Sequence, residues 1–169
     1  KINNNKRFIY FSGIDADARK HSKRSEMIFR SENYIQQNLS NSIVIKPGVI
    51  LGGEDKFINA LLRLFKMSFF IPLFGSGKIK FQPVFIDDIS IAVNKIIVDS
   101  LMGKHIFEFV GPEIFTYEEF YKYLLICLDY NRVLVPVPFR LVKIGVAILE
   151  KTPICPINNE QLKLFERDN

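Results

Sequence analysis

The chain has 169 residues, 48% of them hydrophobic, which suits one domain, or part of one, with a sizeable apolar core. Its net charge of +5 is spread over 23 basic and 18 acidic residues, so nucleic-acid binding is not required, and an acidic membrane surface or acidic protein suits it equally well. Two histidines exclude a His-rich metal site, and Cys127 and Cys155 have neither a metal-binding nor a disulfide spacing, which fits a reducing compartment.

The first third of the chain predicts two strands separated by a helix. Residues 7–12 predict a buried strand, residues 18–39 a helix, and Ser42–Lys46 a short β-branched strand. The pairs Pro47-Gly48 and Gly52-Gly53 then predict a loop.

The middle of the chain begins with a strongly apolar helix, predicted over residues 56–69. Pro72 and the segment Gly75-Ser76-Gly77-Lys78 break this pattern, and residues 78–86 alternate like a strand. The glycine segment resembles part of a phosphate-binding loop. It lacks the full motif and precedes a strand rather than a helix, so we interpret it as a turn.

The last third of the chain predicts helices with clear starts. Asp87 or Asp88 is expected to cap a helix that runs to about Leu101 and to complement its dipole. Thr116 and Glu119 have the spacing of a capping box, which predicts a helix to about residue 129. The other predicted elements are a strand over 104–110, an extended segment over 133–137, an amphipathic helix over 139–151, and a short helix capped within 158–161.

Strands that alternate with helices predict an α/β protein with a parallel sheet built from right-handed crossovers. The glycine-rich phosphate loop that would open a nucleotide-binding sheet is absent from this sequence. We therefore expect the chain to hold the C-terminal half of a Rossmann-type doubly wound sheet, with the pyrophosphate cradle upstream of Lys1.

Several blocks, taken in order, resemble the atypical extended short-chain dehydrogenases. They also resemble the dehydrogenase-like accessory subunit of respiratory complex I and its bacterial relatives. The blocks are RFIYFSGIDADA (7–18), SK (22–23), IVIKPGVILGGEDKFIN (43–59), IPLFGSGKIKFQPVFIDDISIAV (71–93), FEFVGPEIFTYEEFYKYLL (107–125), VPVPF (135–139) and ERDN (166–169).

This resemblance implies a division of the chain. Residues 1–55 would form the later part of an NAD(P)-binding Rossmann-like domain. Residues 56–169 would form a small mixed α/β C-terminal subdomain with returning Rossmann elements. The implied cofactor is NADP(H) or NAD(H), whose binding would also need the N-terminal half of the fold.

The resemblance also assigns a cofactor site. Ser12 and Gly13 correspond to the strand tip that faces the nicotinamide, and Lys23 to the lysine that binds the ribose. Pro47, Gly48, Val49 and Ile50 correspond to the loop whose backbone meets the carboxamide.

Two catalytic positions of the family are replaced in this chain. Arg19 stands where a tyrosine precedes the lysine by four residues, and an arginine cannot exchange protons near neutral pH. Ile14 stands where a serine or threonine would hydrogen-bond the reacting carbonyl, and Lys46 replaces an arginine that commonly precedes the proline. We therefore expect no catalytic residue and no metal.

The resemblance favours a non-catalytic NAD(P)(H)-binding accessory or assembly subunit of respiratory complex I. It implies complex I subunits as partners, no nucleic acid, and a location on the matrix side of the mitochondrial inner membrane or the cytoplasmic face of a bacterial one. Residues 57–74 and 139–151 are either core elements or a peripheral membrane contact. The alternatives are an active nucleotide-sugar epimerase or reductase, and a membrane-surface or quinone-associated binding protein.

Overall fold

The computed structural model describes residues 6–14, 23–149 and 162, and among these it leaves out the side chains of residues 56, 57, 148 and 149. The chain divides into two compact units. The first contains residues 1–50 and 83–112, and the second contains residues 51–82 and 113–169. The chain therefore leaves the first unit, returns to it, and leaves it again.

A parallel three-stranded sheet is the centre of the first unit. Its strand order is β1 (Phe8–Phe11), β2 (Ser42–Pro47), β7 (Lys104–Phe109). The β-branched residues of β2 place it in the middle of the sheet, where Ile43, Val44 and Ile45 are completely buried. The predicted α/β class with a parallel sheet is confirmed.

The prediction that the first strand is buried is wrong. β1 lies at the edge of the sheet, and Phe8 and Phe11 are 44% and 51% exposed. Hydrophobic residues alone cannot distinguish a central strand from an edge strand, because that depends on which segments pair on each side.

Two helices accompany this sheet, α1 (Lys23–Asn38) and α3 (Ile86–Val98). The predicted N-cap role of Asp87 or Asp88 is wrong, because Phe85 occupies the N-cap position without a side-chain hydrogen bond. Both aspartates lie instead in the first turn, where their charge complements the helix dipole. At the other end of α3, the Arg7 guanidinium donates to the carbonyls of Ile96 and Ile97 at 2.9 Å each.

A short two-stranded pairing joins β3 (Val49–Leu51) to β6 (Pro83–Phe85). β3 follows directly after the loop at the end of β2. Gly111, which follows β7, passes so close to this pairing that a Cβ on it would lie 1.9 Å from the Pro83 carbonyl oxygen. A larger residue at position 111 would therefore displace the backbone.

Up to Leu149, the described part of the second unit has two small sheets and three helices. β4 (Phe70–Phe74) pairs in parallel with β9 (Val133–Val137), and β5 (Lys80–Phe81) pairs antiparallel with β8 (Phe115–Thr116). Pro72 lies inside β4, although the sequence predicted a break there. Since β4 has one described partner strand, the missing N–H of a proline can face the unpaired edge. The helices are α2 (Lys56–Met67), α4 (Tyr117–Cys127) and α5 (Phe139–Leu149).

The predicted capping box at the start of α4 is confirmed. The Thr116 hydroxyl accepts from the Glu119 amide at 3.2 Å, and the Thr116 amide donates to the Glu119 carboxylate at 2.8 Å. Hydrogen bonds from the Thr116 amide and hydroxyl hold the pKa of the Glu119 carboxyl below its usual value. The helix start is therefore fixed by its own sequence.

Aromatic side chains fill the core of the second unit. Phe65 and Tyr121 meet edge to face with 5.9 Å between ring centroids, and Phe81 stacks on Tyr117 at 4.5 Å. Burial raises the pKa of the Tyr121 hydroxyl. A second cluster is formed by Val142, Val146 and Leu162, with Phe74, Val137 and Phe139 against it.

No helix within the described part of the chain is long and apolar enough to cross a membrane. The predicted helix cap within residues 158–161 lies outside the described residues.

Candidate functional site

The candidate site lies at the carboxyl ends of β1 and β2. Because parallel strands end at the same edge of a sheet, the residues after these strands come together there. The Ser12 amide donates to the Ile45 carbonyl at 2.8 Å, and the Ile14 amide donates to the Pro47 carbonyl at 3.3 Å. The Gly48 amide donates to the Phe109 carbonyl of β7 at 2.9 Å. The structure thus brings together the predicted strand tip and the predicted loop.

A buried carboxylate lies between the carboxyl ends of these two strands. Glu32, on α1, is 5% exposed. Its Oε2 accepts a hydrogen bond from the Ser12 hydroxyl at 2.9 Å, and its Oε1 forms an ion pair with the Lys46 ammonium at 2.7 Å. Glu32 therefore ties α1 to both strands at the edge where the site is predicted.

The sequence interpretation missed Glu32. A signal was present in the spacing of α1. Glu32 precedes Ile35 by three residues, so both side chains lie on the same, buried face of the helix. Lys46 also directly follows the apolar run Ile43-Val44-Ile45, so a charged residue stands at the end of this strand. A buried charge requires a partner of opposite sign, so these two anomalies together predict a pair.

The ion pair changes the interpretation of Lys46. The resemblance implies that Lys46 replaces an arginine that commonly precedes the proline. In the structure its ammonium is neutralised by Glu32, and its side chain is 17% exposed. The Ser12 hydroxyl likewise donates to Glu32, so its hydrogen is already in use.

The predicted ribose-binding residue, Lys23, is the first residue of α1 and is exposed. Arg19, which stands in place of the family's tyrosine, lies outside the described residues, and so do His21 and Ser22 beside it. The assignments of Lys23 and Arg19 to the family's positions stay predictions.

The described residues at this edge include Gly13, Ile14 and the loop from Gly48 to Ile50. A Cβ on Gly13 would meet nothing within 4 Å, so there is open space beside the tip of β1. Gly48, Val49 and Ile50 are half-buried, as is Ile14. The apolar side chain of Ile14 offers neither a hydrogen-bond donor nor an acid or base.

We expect Glu32→Gln to lower the free energy of unfolding by about 3 kcal/mol, because it leaves the largely buried Lys46 ammonium without a counter-charge. The control is Glu26→Gln, which breaks the exposed ion pair with Arg30 on the same helix and should cost about 0.5 kcal/mol or less. Chemical denaturation monitored by circular dichroism measures both. Equal losses for the two variants would contradict a buried, structure-determining pair.

Comparison with known proteins identifies relatives that are similar in sequence. No protein-family model matches the chain. The chain is 28% identical to subunit 9 of the mitochondrial NADH dehydrogenase (ubiquinone) 1 alpha subcomplex of Arabidopsis thaliana, over 96% of this chain and 42% of that protein. It is 29% identical to the protein of the same name from Dictyostelium discoideum, over 88% of this chain and 42% of that one. The mitochondrial NADH-ubiquinone oxidoreductase 40 kDa subunit of Neurospora crassa is 24% identical over 89% of this chain.

Two solved structures with the same fold are nucleotide-sugar enzymes. UDP-glucose 4-epimerase of Thermotoga maritima superposes with a TM-score of 0.64 and 17% identity over 79% of this chain and 50% of that one. The dTDP-4-dehydrorhamnose reductase of Bacillus anthracis, solved with NADP, gives a TM-score of 0.62 and 15% identity over 80% of this chain and 52% of that one.

These comparisons confirm the resemblance and the fold that the sequence predicted. The chain spans about two fifths of the length of the curated relatives it matches, and about half of each of the two solved chains. The chain is thus similar in sequence to named subunits of mitochondrial complex I, and it has the Rossmann-like fold of the extended short-chain dehydrogenases.

Proposed function

We propose that the protein is a non-catalytic, NAD(P)(H)-binding accessory or assembly subunit of a respiratory NADH–quinone oxidoreductase. The observation that carries this proposal is the similarity to complex I subunits from a plant, an amoeba and a fungus over 88–96% of the chain. The partners would be the other subunits of that complex.

The lack of catalysis is supported by the chemistry of the candidate site. Ile14 has no hydrogen-bond donor on its side chain, and the Ser12 hydroxyl already donates to Glu32. The Lys46 charge is neutralised by the same carboxylate. A short-chain dehydrogenase mechanism needs a proton donor and a carbonyl-binding hydroxyl, and neither is supplied by these three residues.

The nucleotide would act as a structural ligand. Its proposed contacts are Ser12, Gly13, Lys23 and the loop Pro47-Gly48-Val49-Ile50, with the pyrophosphate cradle supplied by the N-terminal half of the fold. Both NADP(H) and NAD(H) suit this site. A ligand that binds only the folded state stabilises it by mass action, without any reaction.

A peripheral membrane contact is supported by two segments that are each part core and part surface. In residues 57–74, Phe65 is completely buried while Met67, Phe69 and Phe70 are 86%, 53% and 63% exposed. Exposed Arg63 and Lys66 lie beside them in sequence. This combination of apolar and cationic side chains suits an acidic lipid surface.

The second segment, residues 139–151, repeats this arrangement on α5. Val142 and Val146 are buried, whereas Leu141 and Ile144 are 60% and 57% exposed. The proposed membrane face is the matrix side of the mitochondrial inner membrane, as the mitochondrial relatives suggest, or the cytoplasmic face of a bacterial inner membrane.

The purified protein, at its natural length, should retain NADP(H) or NAD(H) and should not consume it. Nucleotide released by denaturation can be identified by chromatography. Turnover can be followed by nucleotide absorbance with a dTDP-4-keto sugar or a simple ketone, and by chromatography of the sugar nucleotide with UDP-glucose, because epimerisation leaves the nicotinamide unchanged overall. We expect bound nucleotide, and neither nucleotide oxidation nor conversion of UDP-glucose above the rate of a protein-free control. Sustained turnover with any of these substrates would favour the alternative, an active epimerase or reductase.

Replacing Met67, Phe69 and Phe70 together by serine should weaken binding to vesicles that contain acidic phospholipid by about tenfold or more, because buried apolar area is lost. Ile126→Ser is the control, since Ile126 is 78% exposed on α4, outside both proposed segments. Vesicle co-sedimentation at fixed salt measures both. If the triple variant and the control bind as the unaltered protein does, residues 67–70 are not a membrane contact.

A further inference from the structure

One face of the two-stranded sheet formed by β4 and β9 carries only apolar side chains. Strand residues alternate between the two faces of a sheet, and Cα partners on neighbouring strands share a face. The partners on this face are Phe70 and Val133, Pro72 and Val135, and Phe74 and Val137. The opposite face carries Ile71 and Leu73, which are 0% and 2% exposed and belong to the core. The first face is therefore apolar in addition to the core side.

Among the described residues, α5 covers one end of this apolar face and leaves the other end open. The buried valines of α5 pack against Phe74 and Val137, at the carboxyl ends of the two strands. At the amino end of the pair, Phe70 is 63% exposed and its partner Val133 is 43% exposed. Val135, two residues further along β9, is 38% exposed. The open end thus exposes apolar side chains of both strands.

The segment between α2 and β4 extends this open end. Met67 and Phe69 are 86% and 53% exposed, and the Phe69 ring meets the Phe70 ring edge to face with 5.3 Å between centroids. The Val133 amide donates to the Phe69 carbonyl at 3.0 Å, which holds this segment against the start of β9. One surface, here named the β4–β9 patch, is therefore formed by Met67, Phe69, Phe70, Val133 and Val135.

The segments that carry the β4–β9 patch have charges of one sign. Residues 56–82 contain five basic and no acidic residues, and residues 130–149 contain three basic and no acidic residues. Lys66 and Arg132 directly precede patch residues in sequence. The nearest acidic residue before β9 is Asp129, in the turn that follows α4. Apolar side chains beside cations suit a bilayer that contains acidic phospholipid, because such a bilayer is apolar inside and anionic at its surface.

The polar groups within the patch favour a bilayer over a protein partner. Ser68 lies between Met67 and Phe69, and its hydroxyl already donates to the Phe70 carbonyl at 2.7 Å. A specific protein interface of standard size uses about ten directed hydrogen bonds. Insertion into lipid requires apolar area and charge, which the patch and its neighbouring cations supply.

We propose that β9 is a third element of the membrane contact, so that the β4–β9 patch inserts as one surface into a bilayer containing acidic phospholipid. This inference rests on the peripheral membrane contact proposed above for residues 57–74 and 139–151. It adds Val133 and Val135, which lie outside both segments. The apolar side chains of the patch enter the headgroup region, while Lys66 and Arg132 stand beside the lipid phosphates.

The test measures co-sedimentation of the purified, natural-length protein with vesicles of phosphatidylcholine, alone or mixed with an equal part of phosphatidylglycerol. Val133→Glu should weaken binding to the mixed vesicles by about fivefold, because it brings a negative charge to an anionic surface. Val135→Trp should tighten this binding by about fivefold, because tryptophan favours the headgroup region. Ile126→Glu and Ile126→Trp are the matched controls on exposed α4, and each should change the affinity by less than about twofold, because a residue away from the contact is screened.

The controls separate β9 from the rest of the membrane contact. If the Val133 and Val135 variants bind as their Ile126 controls do, β9 is not part of the contact, even where the triple serine variant of the α2–β4 segment binds weakly. Equal binding to both kinds of vesicle would also overturn the inference, since acidic phospholipid would not be required. If Val133→Glu does not fold, the gain expected for Val135→Trp decides.

Failure of this inference is distinguishable from failure of the nucleotide function. If the unaltered protein binds neither kind of vesicle, the patch is not a membrane contact, and an acidic protein surface becomes the better occupant. Nucleotide retained by the same samples is measured separately after denaturation. Its absence would contradict the nucleotide function and leave the vesicle result unchanged.

Discussion

The buried ion pair between Glu32 and Lys46 is the interaction on which the candidate site depends. A carboxylate that is 5% exposed is stable only if its charge is compensated, and Lys46 and Ser12 together compensate it. Since the three groups come from α1, from β2 and from the residue that follows β1, they hold the helix and both strand ends in one arrangement. The same contacts use the Ser12 hydroxyl hydrogen and neutralise the Lys46 charge.

Several elements of the fold were predictable because their signals are local. The capping box of Thr116 and Glu119 specifies where α4 begins, and β2 is a short β-branched run. The errors concern long-range pairing. β1 lies at an edge because of which strand it pairs with, and β4 tolerates Pro72 because it has one described neighbour. The position of a strand in its sheet depends on the other strands, so the sequence of one segment does not determine it.

The candidate site was predictable in part. The order of the blocks placed Ser12, Gly13 and Pro47–Ile50 at one edge, and the hydrogen bonds between these segments agree with that placement. Glu32 was missed, since an acidic residue on a helix usually faces solvent. Sequence spacing relates the residues of a helix to one another, but it does not give the rotation of the helix against a sheet. That rotation required the Glu32 contacts.

The central claim is that the protein belongs with a respiratory NADH–quinone oxidoreductase as a non-catalytic part. Membranes from the source cell can be solubilised gently and separated on a native gel, and the protein located by antibody. The account predicts that it migrates with the large NADH-dehydrogenase complex, or with an assembly intermediate of that complex. Migration only as a free small protein, in membranes that contain the intact complex, would contradict the account.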